Sequence, residues 1–169
     1  ADLNDANNLS LNGLGVSQYY STYTKRSFPY NVYAGSQDQG FQRSIAPGQE
    51  GVFDFIQSIS GDYGHLSSGD EGETIWCNYP GFTLYYGNPA TGGGSQSLDF
   101  PGSGHLWLAP LIEDPYNPNQ AYLAGGGLSG GNHLFHLTAG SGSITYTEES
   151  YSFNNTVSAM GYSSIEPNN

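Results

Sequence analysis

From His105 to Gly140 the chain reads HLWLAPLIEDPYNPNQAYLAGGGLSGGNHLFHLTAG. An apolar run is followed by a Pro/Asn turn, then by a second run with an aromatic near its end. A Gly-rich turn and a third apolar run complete the unit. The runs are short and bounded by Gly, Pro, Asn and Asp, which is the signature of strands and turns. No window of 11–18 residues keeps a helical apolar stripe free of Gly or Pro, so the fold class is all-β.

The same order recurs on both sides of this stretch. Ser17 to Ser44 reads SQYYSTYTKRSFPYNVYAGSQDQGFQRS, and His65 to Pro89 reads HLSSGDEGETIWCNYPGFTLYYGNP. A fourth unit opens at Val157 as VSAMGYSSIEPNN. The aromatics Tyr33, Trp76 and Tyr122 fall 43 and 46 residues apart, and fourth strands are expected at Val52–Ile59, Ser97–Phe100 and Ser143–Ser150. Four short strands per unit of about 40–50 residues is the period of a β-propeller blade. A sandwich or jelly roll also has many short strands, but does not need the same order three times over. The repeat of a parallel β-helix is much shorter.

The expected organisation is therefore about three blades of four antiparallel strands with partial flanking blades. Residues 1–14 end a preceding blade, 15–60, 61–101 and 102–153 are blades, and 154–169 start a further one. Propellers close with about 4–8 blades, so the chain is expected to belong to a larger chain or assembly.

Three basic residues stand against fifteen acids in 169, a net charge of −12. Such a surface repels phosphate backbones and anionic lipid, which excludes nucleic-acid partners and disfavours membrane docking. No apolar stretch is long enough to insert in a membrane as a helix. The single cysteine, Cys77, lies in the apolar run Thr74–Cys77 with no basic neighbour in sequence, and is expected to be buried and unreactive.

The blades quoted above resemble the secreted propellers related to sialidase-repeat and sortilin-type proteins. The resemblance rests on NGLGVSQYYSTY…FPYNVYAGSQDQGFQRS and on LWLAPLIEDPYNPNQAYLAGGG…HLFHLTAG, and it covers nearly the whole chain. It implies an extracellular or cell-surface protein of the type exported by Bacteroidetes-type bacteria, often through type IX secretion. LTAGSGSITY keeps glycines and Thr145 but lacks the Asp and Trp of that group's Asp-box. Arg26 and Arg43 alone cannot supply the arginine cluster a sialidase needs for its acidic sugar.

In a propeller the loops that join blades share a face with those joining second and third strands. That face would carry Asp38, Asp62, His65, Tyr79 and His105, the candidate binding residues. Asp38 and Asp62 are also the candidate carboxylates for glycoside hydrolysis, which needs two acids about 5–5.5 Å or 6.5–9.5 Å apart. VYAGSQDQGFQRS and SGDYGH are loosely similar to the acid-bearing loops of xyloglucanase-type propellers. The bland alternative is that both aspartates cap tight Gly turns through the backbone. Asp62, Asp70, Glu71 and Glu73 offer oxygen ligands to calcium without the spacing of an EF-hand loop. No other cofactor is read.

His133 and His136 are three residues apart on a strand and point to opposite faces, so joint metal ligation is not expected. Asp114 to Asn119 belong to the other face, and ordinary turn chemistry explains them. The function expected is a non-catalytic extracellular interaction or scaffold module for protein or glycan partners. The alternative is a propeller-type glycoside hydrolase with paired carboxylates.

Overall fold

The computed structural model describes residues 17–45, 54–100, 105–125 and 131–163. Its strands form three four-stranded antiparallel sheets, each paired in chain order. The first sheet holds β1 (Tyr19–Thr24), β2 (Val32–Ser36), β3 (Gly40–Ser44) and β4 (Phe55–Ile59). The second holds β5 (Leu66–Ser67), β6 (Thr74–Tyr79), β7 (Phe82–Gly87) and β8 (Ser95–Asp99). The third holds β9 (Leu111–Glu113), β10 (Gln120–Leu123), β11 (His133–Ala139) and β12 (Ile144–Ser152). Between β7 and β8 lies one 3-10 turn, Pro89–Thr91.

The three marker aromatics take the same strand of their sheets. Tyr33 lies on β2 opposite Tyr23 and Arg43, Trp76 on β6 opposite Ser67 and Tyr85, and Tyr122 on β10 opposite Ile112 and His136. Each sheet also has its expected fourth strand. Residues 1–14, where the end of an earlier blade was expected, lie outside the described residues.

Alternation along the strands divides the core into two layers. Tyr33 and Phe41 of the first sheet pack with Ile75, Cys77, Leu84 and Tyr86 of the second. Trp76 leaves the other face of β6 and joins Leu111, Ala121, Leu123, Phe135 and Leu137 of the third. A strand of period two can supply both layers only if a sheet covers each of its faces. The sheets are thus stacked in chain order, with the second in the middle. Cys77 is wholly buried, and burial pushes its thiol well above the usual range, as its apolar run predicts.

Polar tethers repeat between the layers. The Tyr33 hydroxyl donates to the Gly72 carbonyl at 3.2 Å, and the Trp76 indole N–H donates to the Pro118 carbonyl at 2.9 Å. Both acceptors lie in the first hairpin loop of the following sheet. Serine hydroxyls join the first strands in the same way. Ser21 Oγ accepts from the Leu66 N–H at 3.0 Å, and Ser67 Oγ accepts from the Glu113 N–H at 2.7 Å. Each tether satisfies a polar group that stacking would otherwise leave without water.

Candidate functional site

The turn between β2 and β3 runs through Gln37, Asp38 and Gln39. Asp38 sits in the left-handed region at φ 61, a conformation its short polar side chain tolerates. Its backbone N–H donates to Asp62 Oδ1 at 2.7 Å, and Gln39 forms a parallel bridge with Gly61. The segment leaving the first sheet is thereby tied to that sheet's own turn. The two aspartates are brought together, with the Asp62 carboxylate engaged as a backbone cap.

The row continues into the second sheet. Gly61 lies against Tyr79: a Cβ there would stand 2.5 Å from the Tyr79 ring, and its φ of 133 also excludes a side chain. Tyr79 meets Tyr63 edge to face at 5.7 Å. Within the β6–β7 turn, a Cβ on Gly81 would stand 3.4 Å from the His105 imidazole, which itself packs edge-on to Phe100 at 5.6 Å. Asp38, Asp62, Tyr79 and His105 therefore form one rim of neighbouring contacts.

His65 lies two residues beyond Tyr63, and its N–H donates to Asn78 Oδ1 at 2.9 Å. It lines a cavity of about 140 Å³ with Pro110, Leu111, Ser158, Ala159 and Met160, beside the first strands.

Three of the four carboxylates considered for calcium, those of Asp62, Asp70 and Glu73, have separate partners. Lys25 Nζ lies 2.8 Å from Glu73 Oε1, and Ser27 donates to the same oxygen at 2.9 Å. These bonds hold the Glu73 carboxyl below its usual range. Asp70 Oδ1 accepts from the Thr74 N–H and the Ser68 hydroxyl, both at 2.9 Å, closing the β5–β6 loop. Glu71 occupies the left-handed position of that loop, at φ 63. Among the described residues no three His, Cys, Asp or Glu side chains gather as a metal group.

His133 Nδ1 lies 2.8 Å from Glu148 Oε1, whereas His136 stacks on Tyr122 at 4.9 Å. The two histidines serve different neighbours. Asp114 Oδ1 accepts from the Tyr116 N–H at 2.8 Å, so its loop is built by the expected turn chemistry. The same loop also carries the Pro118 acceptor for Trp76.

Glu113 was not singled out from sequence. It is 1% exposed, on the face of β9 turned toward the second sheet. Thr74 Oγ1 lies 3.1 Å from Glu113 Oε1 and 2.9 Å from Asp70 Oδ2, yet it has one proton to give. Thr74 can donate to only one of the two carboxylates at a time, so Glu113 and Asp70 compete for its proton. Burial pushes the Glu113 carboxyl up to about 9; the Gly69 N–H opposes the rise and the Asp70 charge adds to it. The only sequence signal was an acid in an apolar run, at the same parity as Leu111.

Asn78 was missed for a similar reason. Its Oδ1 accepts from the His65 N–H at 2.9 Å, and its Nδ2 donates to the Ala109 carbonyl. One buried amide thus binds the segments that lead into the second and third sheets.

No family model, curated protein or solved structure matches the chain.

Proposed function

We propose that the three sheets are successive blades of an extracellular β-propeller, acting as a non-catalytic module that binds a protein or glycan partner along the Asp38–Asp62–Tyr79–His105 rim. The observation that carries this is the 2.7 Å bond from the Asp38 N–H to the Asp62 carboxylate. A general base must reach the proton it removes, and this carboxylate is engaged with backbone. Asp38 is exposed and Tyr79 and His105 are half-buried, so the rim offers an aromatic, an imidazole and a negative charge to a partner. The face-to-face stack with repeating tethers is the arrangement a propeller requires. The net charge of −12 and the single buried thiol suit an extracellular setting. Among the described residues no helix is long and apolar enough to cross a membrane.

The test is an assay on β-glucans and sialosides, run beside a binding screen on glycans and candidate proteins. No turnover is expected, and Tyr79→Ala should weaken whatever binding is found by about tenfold or more. Robust hydrolysis abolished by Asp38→Asn or Asp62→Asn would replace this function with the glycosidase alternative, since loss of an acid or base costs about 10²–10⁴-fold.

A further inference from the structure

The loop from Lys25 to Asn31 joins β1 to β2, at the end of the first sheet away from the Asp38 turn, since β2 runs between the two. It is anchored at its neck and along one flank. The Lys25 N–H donates to the Asn31 carbonyl at 2.8 Å, and the buried Asn31 amide donates to the Ser44 carbonyl at 3.0 Å. The Arg26 N–H donates to the Glu71 carbonyl at 3.0 Å. Glu73 takes Lys25 Nζ at 2.8 Å and the Ser27 hydroxyl at 2.9 Å. What the anchors leave outside is a pair of rings. Phe28 is 76% and Tyr30 52% exposed, and the two meet edge to face at 6.1 Å and 85°.

Large apolar groups held in water by a fixed loop mark a contact surface, and its size and charge choose the occupant. At these exposures the two side chains offer about 250 Å². A stable protein interface buries about 800 Å² per partner, so neither a globular protein nor a second copy of the chain is matched. The chain carries a net charge of −12, yet this loop is balanced: Lys25 is paired with Glu73, and exposed Arg26 is bonded through its backbone to exposed Glu71. A polyanion is repelled by the chain as a whole. A polycation is drawn to the acidic surface at large rather than to a neutral loop.

From this we infer that the Phe28–Tyr30 corner is a second binding site, whose ligand is a neutral oligosaccharide. The C–H face of a sugar ring packs on the electron-rich face of an aromatic ring, and its hydroxyls find a donor in Arg26 and an acceptor in Glu71. Because the loop is already ordered, little conformational freedom is lost on binding. The inference stands on this loop alone, so it holds or fails independently of the rim and of the propeller assignment.

Calorimetric titration of the whole protein with cellohexaose, laminarihexaose and mannohexaose tests it, with polygalacturonate and a proline-rich peptide as counter-probes. At least one neutral sugar should bind, and Phe28→Ala and Tyr30→Ala should each weaken it by about tenfold or more. Phe28→Tyr keeps a ring and should keep the binding. Both side chains are exposed, so the alanine variants should retain the parent's urea midpoint. Shifts of the Phe28 and Tyr30 ring protons when sugar is added to the parent read the same contact without a substitution. Failure of all three sugars to bind would overturn the inference, as would binding that neither alanine variant weakens. Binding lost with Tyr79→Ala instead would place the sugar at the rim. Tighter binding of polygalacturonate or the peptide, lost with Phe28→Ala, would overturn the ligand class.

Discussion

Strands β6 and β10 hold the same place in their sheets and have opposite surroundings. In β6, Ile75, Trp76, Cys77 and Asn78 are buried in succession; in β10, Ala121 and Leu123 are buried while Gln120 and Tyr122 are not. Nothing in the local sequences demands this, since TIWCNY and QAYL both carry an aromatic between small or aliphatic neighbours. The difference comes from the stack. β6 in the middle sheet is covered on both faces and buries four residues in succession, whereas β10, covered on one face among the described residues, buries alternate ones; β2 of the first sheet also buries four in succession, from Tyr33 to Ser36. Burial of an aromatic here reports which sheet follows it.

The comparison is broken most directly at its two aromatics. In residues 1–169, Trp76→Ala should cost about 3–5 kcal/mol, because it empties the middle of a closed layer and leaves the Pro118 carbonyl without its donor. Tyr122→Ala should stay within about 1 kcal/mol in the same chain. Urea denaturation of the pair measures both, and equal losses would remove the distinction between a covered and an open face.

A second test concerns the layer between the second and third sheets, where Glu113 is buried. Its folded-state pKa, about 9, lies above the ordinary carboxylate value of 4.5. The folded chain therefore holds a proton that the unfolded chain has released between those values. That stabilising contribution is complete below about pH 4.5 and is lost as pH rises toward 9, a fall on the order of a few kcal/mol. Glu113→Gln should flatten the stability profile between pH 5 and 9 and leave the variant more stable than the parent at pH 8. An unchanged slope would mean that Glu113 is already ionised in the fold.

The smallest effect separates the tether from the packing. Tyr33→Phe keeps the ring and removes one hydrogen bond to Gly72, for a loss of about 0.5–1.5 kcal/mol. Tyr122→Phe in the same chain should change nothing measurable. A loss at Tyr122 equal to that at Tyr33 would show a tether where this chain has no following hairpin loop among its described residues.

Much of the fold was legible because strand and turn signals are local. The Tyr33, Trp76 and Tyr122 spacing marked three second strands, and the apolar run around Cys77 marked its burial. The candidate site was legible only as a set of loops. That Asp38 and Asp62 meet could be guessed from their turns, but not that one caps the backbone of the other, because the contact spans 24 residues. Glu113 and Asn78 gave no usable signal. Each is a polar residue in an apolar run, and its role depends on partners in another sheet.

By itself the sequence determined an all-β chain, its strand–turn order, its strong negative charge and the places where only glycine or a short polar residue suits the backbone. These follow from propensities and sterics acting within a few residues. Only the tertiary structure decided which faces are covered, that Glu113 is buried beside Thr74 and Asp70, and that the Asp38 N–H meets the Asp62 carboxylate. Those depend on the stacking of whole sheets, where burial changes the energy of a proton or a hydrogen bond through groups far away in the chain.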